Sequence, residues 1–224
     1  MLAVVAKGLK DLKQKVVFVG GATVDLFITD PAAPATRPTD DVDCVVEIAG
    51  TGQYHELEAE LRKLGFKHAV GEDAPICRWR FSGIKVDVMP TKGAVLGFSN
   101  QWYPTGMANA EEVVLPNKER VRVFSLPYLL ASKLAAFRDR GREDFQASKD
   151  LEDIIALLDG CPEVEQKVDA AAAEVRQYLG REFKRLLAHD RFLPALEGSL
   201  RPGREGPERT ERCMALMRRI ASMA

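Results

Sequence analysis

The sequence has no run of about 18 apolar residues and no N-terminal leader in which a charged stretch precedes an apolar one. A run of that length is needed to span a bilayer as a helix, and such a leader directs a chain to secretion. Their absence argues against a membrane span and against a secretory signal. We therefore predict a cytoplasmic protein that does not contact a membrane.

Cysteine is scarce, and its four positions form no C-x-x-C pair. Paired spacing of that kind is typical of zinc sites, so a zinc knuckle is not expected. Scattered cysteines agree with a reducing compartment. The four residues are Cys44, Cys77, Cys161 and Cys213.

The sequence also lacks an excess of positive or negative charge, because its formal net charge is −1. This excludes a globally basic nucleic-acid binder. The segment from Arg176 to the C-terminus nevertheless carries eleven Lys or Arg against six Asp or Glu, a net of +5. Such asymmetry is typical of a face that binds a polyanion, and equally of a solvated helical surface.

What is present is an ordinary globular composition, with 46% hydrophobic and 29% charged residues among 224. Alternating and continuous apolar runs predict strands in the first half, at 16–19, 42–48, 76–81, 84–89, 111–115 and 120–124. Helical periodicity predicts helices at 2–14, 22–28 and 54–64, and then at 126–138, 149–158, 163–188, 191–198 and 205–223. We predict an α+β protein with an α/β domain over 1–124 and a helical domain over 125–224.

Two carboxylates stand at the entrance of a predicted strand, in the sequence Asp41-Val42-Asp43. Residues i and i+2 of a strand project to the same face, so the two carboxylates lie side by side. Their repulsion is relieved by a cation, and carboxylate oxygens suit Mg²⁺. A D-x-D pair alone is weak support for a metal site, because Asp pairs at strand ends are common on protein surfaces.

Two further features fit the same chemistry. Gly20 and Gly21 lie between a buried strand and a predicted helix, where backbone N–H groups can hold phosphate oxygens. A tight strand-to-helix turn explains the two glycines equally well. Asp87 stands alone in an apolar strand, which is costly unless it is paired. Convergence with Asp41 and Asp43 on a cation would satisfy all three carboxylates.

The order G-G, about twenty residues, T-x-D-V-D and a later isolated Asp resembles the polymerase-β-like nucleotidyltransferase superfamily. The resemblance implies a mixed sheet with flanking helices, followed by a helical bundle. It also implies that Asp41 and Asp43 bind two Mg²⁺ ions, and that Asp87 is a third ligand or helps to activate the attacking hydroxyl. The substrate would be an NTP.

The stretch LPYLLASKLAAFRDRGREDFQASKDLEDIIALLDG, residues 126–160, is similar to the AbiEii/AbiGii-type nucleotidyltransferases, many of which are bacterial toxins. Their pattern is a Lys, an Arg-rich connection, and then a basic residue followed by Asp, two residues and Asp. The resemblance implies that Lys133 binds the nucleotide, with Asp150 and Asp153 beside it. The other matching positions are Arg138, Arg140, Arg142 and Lys149.

The chemistry of the lysine supports this interpretation, since a triphosphate needs cations besides metals and a Lys can reach its β- or γ-phosphate. Asp150 and Asp153 share one helix face and could orient Lys133. The alternatives are an exposed amphipathic position for Lys133 and a solvated helix edge for the aspartates.

Several residues are weaker candidates. Many superfamily members have Ser after the first Gly, so that here backbone N–H groups or Thr23 must replace its phosphate contact. The family's basic residue is often Arg where this chain has Lys149. Arg37 and Thr39 could touch the nucleotide, although Pro38 makes a structural turn equally plausible. The segment 78–80, Arg-Trp-Arg, either packs a tryptophan or contacts nucleic acid.

These observations predict an enzyme that transfers a nucleotide from an NTP to an acceptor hydroxyl. The resemblance to the toxin group and the basic C-terminal segment favour the 3′ end of an RNA, tRNA in particular, and imply a possible antitoxin partner. Protein and small-molecule acceptors remain alternatives. A non-catalytic module that keeps the fold for binding is a further alternative, although an intact set of three aspartates speaks against it.

Overall fold

The structure is a computed structural model that describes residues 1–48, 50–71, 74–97, 99–139, 144–200 and 205–223. The chain divides into two compact units. The first, here called the sheet unit, comprises Met1–Thr23 and Pro38–Ser125. The second, the helical unit, comprises Val24–Arg37 and Leu126–Ala224. The predicted domain boundary after residue 124 remains a proposal. The segment Val24–Arg37 belongs to the same compact unit as the C-terminal helices.

Strands of the described residues form a seven-stranded sheet in the order β3-β4-β5-β2-β1-β7-β6. All of them except β3 overlap strands that the sequence predicted. The bounds are Val16–Val19 (β1), Asp41–Val46 (β2), Lys67–His68 (β3), Arg78–Phe81 (β4), Ile84–Pro90 (β5), Ala110–Val114 (β6) and Arg120–Phe124 (β7).

The sheet is mixed, which confirms the α+β class predicted from the sequence. β1 pairs with β2 antiparallel and with β7 parallel, while β2 pairs with β5 parallel. β4 and β5, which correspond to the strands predicted at 76–81 and 84–89, form a hairpin around Ser82-Gly83, where Ser82 and Gly83 have φ of 49° and 82°. Two positive φ values in a two-residue connection match the twist of the strands that it joins.

Short helices complete the sheet unit, and two of them differ from the predicted ones. The first helix is α-helical only over Leu2–Leu9 (α1), because Lys10 has φ of 49° and the chain continues as a 3₁₀ helix to Lys15. Thr51–Lys63 forms α2, close to the helix predicted at 54–64. Tyr103–Ala108 forms α3, which the sequence pattern did not predict. Residues Gly21–Leu26 form a 3₁₀ helix in place of the predicted α-helix at 22–28.

The helical unit is organised around Leu126–Asp139 (α4), which packs on three of the other helices. Its residues from Leu126 to Phe137 are all buried. The remaining helices are Lys149–Gly160 (α5), Val164–Asp169 (α6), Ala173–Leu187 (α7), Phe192–Ser199 (α8) and Gly206–Ala221 (α9). Within the described ranges, no helix combines the length and the apolarity needed to cross a bilayer.

Val24–Arg37 is held to the helices by specific contacts. The backbone N–H groups of Thr29 and Asp30 both donate to the carbonyl of Gly160, each at 3.0 Å. A Cβ at Gly160 would come within 2.8 Å of Ile28, so glycine permits this approach. Arg209 on α9 bonds Asp159 at 2.7 Å and Asp30 at 3.2 Å. The loop that ends at Arg37 is therefore fixed to α5 and α9.

Candidate active site

Asp41, Asp43 and Asp87, here called the acidic cluster, project from one face of the sheet. Asp43 on β2 is the direct partner of Asp87 on the parallel strand β5. Directly paired residues project to the same face, and Asp41 shares that face because it precedes Asp43 by two. We call it the carboxylate face. The strand register thus places the three carboxylates on one face, and their convergence on a cation stays a prediction.

Gly20 permits the close approach of Asp43. It follows β1 with φ of 81°, a conformation that favours glycine. A Cβ at this position would lie 2.0 Å from Oδ2 of Asp43. The first glycine of the predicted pair therefore lies directly against the second carboxylate, and any side chain there would displace it.

Gly21 and Thr23 form the turn behind this contact. Gly21 begins the 3₁₀ helix, which at six residues is a short one. Thr23 is fully buried, and its hydroxyl donates to the carbonyl of Gly20 at 2.9 Å. A phosphate contact from the Thr23 hydroxyl would require this bond to open. In the structure, Thr23 shapes the turn that carries Gly20.

Asp41 is partly accessible, with 34% of its side chain exposed. The hydroxyl of Thr39 donates to its Oδ1 at 3.0 Å. Thr39 therefore bonds only one of the two carboxylate oxygens of Asp41, and Oδ2 is not used in this bond. Thr39, predicted as a nucleotide contact, is thereby placed to orient the first aspartate.

Arg78 is the residue of this site that the sequence analysis did not assign. Its Nε donates to Oδ1 of Asp87 at 2.8 Å and its Nη2 to Oδ2 at 2.7 Å. Nη2 also lies 3.8 Å from Oδ2 of Asp41. The hydrogen bonds to Asp87 raise the pKa of Arg78 above its usual value, although burial opposes the shift. Arg78 is the cation that compensates the buried Asp87.

A signal for this pair exists in the sequence. Counting outward from the Ser82-Gly83 turn, each residue of β4 meets one of β5, which brings Arg78 opposite Asp87. The neighbouring Trp79 projects to the other face and is completely buried. The packing predicted for the tryptophan of Arg-Trp-Arg is observed, and contact of its arginines with nucleic acid stays a prediction.

The fit of this cluster to a divalent cation rests on its first two members. Mg²⁺ is commonly held by one or two carboxylates together with substrate phosphates, and Asp41 and Asp43 provide that pair. Asp87 offers only the lone pairs that Arg78 leaves. Among the residues that the structure describes, no three His, Cys, Asp or Glu side chains are arranged to hold a metal by themselves.

A second constellation lies within the helical unit and is here called the lysine cluster: Arg37, Lys133, Asp150 and Asp153. Nζ of Lys133 donates to Asp153 at 2.5 Å and to Asp150 at 3.3 Å. Nη2 of Arg37 donates to the same oxygen of Asp153 at 2.9 Å. Side-chain exposure is only 4% for Lys133 and 3% for Asp153. The alternative of an exposed amphipathic lysine is therefore excluded.

The start of α5 organises this cluster. Ser148 caps the helix by accepting from the N–H of Leu151, and Asp150 lies in the first turn, one turn before Asp153. Arg37 and Asp153 also line a cavity of about 670 Å³ between α5, α8 and residues 34–37. A cavity of this size is in the range of small-molecule sites.

The remaining basic positions of the predicted motif are less informative. Arg138 bonds Glu182 and its neighbour Asp139. Lys149 is exposed, and its carbonyl accepts from Arg37 at 3.4 Å. Arg140 and Arg142 lie outside the described residues.

Many cations of the C-terminal segment are already paired. Arg185 bonds Glu182, and Arg209 and Arg212 both bond Asp159. The remaining pairs are Arg218 with Glu211 and Arg219 with Glu165. The proposal that this segment binds RNA remains a prediction, and the positive charge counted from the sequence is partly neutralised by these contacts.

Comparison with known families agrees with the geometry. The family described as "Nucleotidyl transferase AbiEii toxin, Type IV TA system" matches residues 5–212, which include both the acidic cluster and the lysine cluster. The chain belongs to this family. The match extends past residue 160, where the resemblance drawn from the sequence motifs ended. Comparison with curated proteins finds no match.

Membership of the AbiEii family supports a nucleotidyltransferase toxin of a type IV toxin–antitoxin system. It implies an NTP as substrate and suggests a cognate antitoxin as partner.

Proposed function

We propose that this AbiEii protein transfers a nucleotidyl group from an NTP to the 3′ hydroxyl of an RNA, and that tRNA is the acceptor. The observation that carries the proposal is the placement of Asp41, Asp43 and Asp87 on one sheet face, with Asp43 against Gly20. We place the reaction in the cytoplasm, where NTPs and tRNA are available. A cognate antitoxin would control it.

In this reaction the acceptor oxygen forms a bond to the α-phosphorus, the bond to the β-phosphate oxygen breaks, and pyrophosphate leaves. Asp41 and Asp43 would hold two Mg²⁺ ions, which when bound lower the cost of forming the alkoxide and neutralise the leaving group. Thr39 orients Asp41, and Gly20 allows Asp43 to approach. These contacts fix the two carboxylates before the substrate arrives.

Asp87 accepts the proton of the attacking hydroxyl or completes the cation site, and in both roles it uses lone pairs that Arg78 leaves. Lys133 contributes positive charge to the triphosphate as a compact ammonium that Asp150 and Asp153 hold in place, while Arg37 fixes Asp153. The two carboxylates also compensate its charge, as a buried ammonium requires.

Labelling with mixed acceptors tests the proposal. The protein is incubated with Mg²⁺, one NTP labelled at its α-phosphate and either total tRNA or total protein, with each NTP in turn. We expect label in the tRNA, none in the protein fraction, and none after chelation or in Asp43→Asn. Label in a protein band alone would assign a protein acceptor. Binding of NTP without transfer to either acceptor would instead support the non-catalytic module.

A further inference from the structure

Three basic residues form a line across the sheet that ends at the acidic cluster. Lys67 on β3 pairs directly with Arg80 on β4, and Arg80 pairs directly with Lys85 on β5. Lys85 in turn is the direct partner of Asp41 on β2. Because directly paired residues project to one face, all four side chains lie on the carboxylate face. We call Lys67, Arg80 and Lys85 the basic row.

The basic row is open to solvent over most of its length. Lys67 and Arg80 are exposed and Lys85 is half-buried. In the described part of the chain, no carboxylate forms an ion pair with any of the three. Arg78 differs from these three cations. It lies two residues before Arg80 on the same face, but it donates two hydrogen bonds to Asp87.

Repulsion among the three cations costs free energy in the absence of a ligand, and Asp41 beside Lys85 offsets only part of that cost. Neighbouring strands are about 4.8 Å apart, so each cation stands beside another of the same sign. Like charges directly opposite one another destabilise a sheet. The opposite face needs no such charges, because Trp79 and Val86 are buried there and Arg62 of α2 lies over the Trp79 ring. An anionic ligand on the open face would relieve the repulsion.

We propose that the basic row holds the phosphate backbone of the acceptor RNA and leads its 3′ end toward Asp41. The inference rests on the proposed function, in which RNA is the acceptor. A chain with a formal net charge of −1 attracts a polyanion only through a local patch. Exposed cations in a line suit successive phosphates of one strand, and their bonds form without reading the bases.

Direct RNA binding without NTP tests the row. The variant replaces all three residues with Gln, and the probes are total tRNA and a fluorescent single-stranded RNA. A matched control replaces Lys7, Lys10 and Lys63 with Gln. These are exposed lysines of the same unit, on or beside α1 and α2. Gly8 of α1 lies at Phe81 and Arg62 of α2 lies over Trp79, so both helices contact the sheet face opposite the basic row. Both variants lose three positive charges, so a difference between them reports position and not net charge.

We expect the basic-row variant to bind RNA at least about tenfold more weakly at low salt, with a log–log salt slope reduced by about 2, since three single-strand phosphate contacts are lost. The control should bind like the wild type. In the labelling assay, the row variant should raise the KM for tRNA and leave the KM for NTP unchanged.

Equal RNA affinity in the row variant and the control would overturn the inference, and it would leave the proposed function standing if the wild type still labels tRNA. Unchanged RNA affinity together with weakened binding of an acidic protein partner would assign the row to a protein contact and would also overturn it. A wild-type protein that binds no RNA and labels only protein would reject the proposed acceptor and the inference together.

Discussion

Arg78 and Asp87 face each other on adjacent antiparallel strands and share two hydrogen bonds of 2.8 and 2.7 Å. Asp87, a carboxylate that nucleotidyl transfer would use, is thus already paired with an arginine of the same chain. Nη2 of the same arginine lies 3.8 Å from Asp41. Arg78 therefore links the third aspartate of the cluster to the first, and its removal should affect both the stability of the sheet and the affinity for cations.

The stability effect is the first prediction. Arg78→Met should lower the free energy of unfolding by about 1–3 kcal/mol, because Asp87, with 11% of its side chain exposed, loses its charged partner. Adding Asp87→Asn should restore part of that loss, so the two effects are not additive. Urea denaturation of the two single variants and the double variant measures the coupling. Additivity within about 0.5 kcal/mol would mean that the pair contributes nothing specific.

Cation affinity is the second prediction. Without NTP, Arg78→Met should bind Mn²⁺ about tenfold more tightly than the wild type, because a positive charge next to Asp87 and Asp41 has been removed. Titration monitored by electron paramagnetic resonance measures the free ion. Arg120→Met, which breaks the 2.6 Å ion pair with Glu112 near the other edge of the sheet, is the matched control and should not change the affinity. Equal affinities for wild type and Arg78→Met would show that Arg78 does not compete with cations.

Much of the sheet unit could be predicted because its information is local. Apolar runs, the Ser82-Gly83 turn and the spacing of Asp41, Asp43 and Asp87 are visible within short windows, and the register follows from them. The partner of Asp87 was also within reach by counting from the turn. The two-residue strand β3, which supplies Lys67, is too short for any periodicity to show.

The helical unit was less predictable for a physical reason. α4 is buried on all sides from Leu126 to Phe137, so its sequence shows no polar face and the burial of Lys133 could not be inferred. The contacts that fix the loop before Arg37 join Asp30 to Arg209, which are 179 positions apart. No local pattern predicts a pair at that separation. The short segment after Gly20 formed a 3₁₀ helix because it is too brief to stabilise an α-helix.

Gly20 gives the third prediction. Gly20→Ala should lower activity about a hundredfold or more, because its Cβ would lie 2.0 Å from Oδ2 of Asp43 and displace the carboxylate. Gly83→Ala is a matched control, since Gly83 has φ of 82° against 81° for Gly20 and no atom within 4 Å of a built Cβ. The control should lose about 1–2 kcal/mol of stability and remain active. Similar activity in both variants would mean that the close contact with Asp43 is unimportant.

The paired aspartates give the fourth prediction. Asp41→Asn and Asp43→Asn should each reduce labelling far more than about tenfold while the fold stays intact, because repulsion between like charges is relieved. Asp40→Asn, an exposed carboxylate directly before the strand, should remain active. Labelling rates and thermal unfolding of all three variants provide the comparison. Activity within about tenfold of wild type in either of the first two would contradict the two-ion assignment.

The lysine cluster gives the last prediction, which must separate binding from stability. Lys133→Met should raise the KM for NTP and lower kcat, and Lys133→Arg should restore only part of the loss, because a planar guanidinium does not replace an ammonium in a site where the side chain is 4% exposed. Arg209→Met breaks another buried ion pair of the same unit, to Asp159 at 2.7 Å, and is the matched control. Both variants should lose stability by comparable amounts, about 2–4 kcal/mol. If Arg209→Met, assayed well below its unfolding temperature, changed the KM for NTP as much as Lys133→Met, then Lys133 would be a structural ion pair and not a nucleotide ligand.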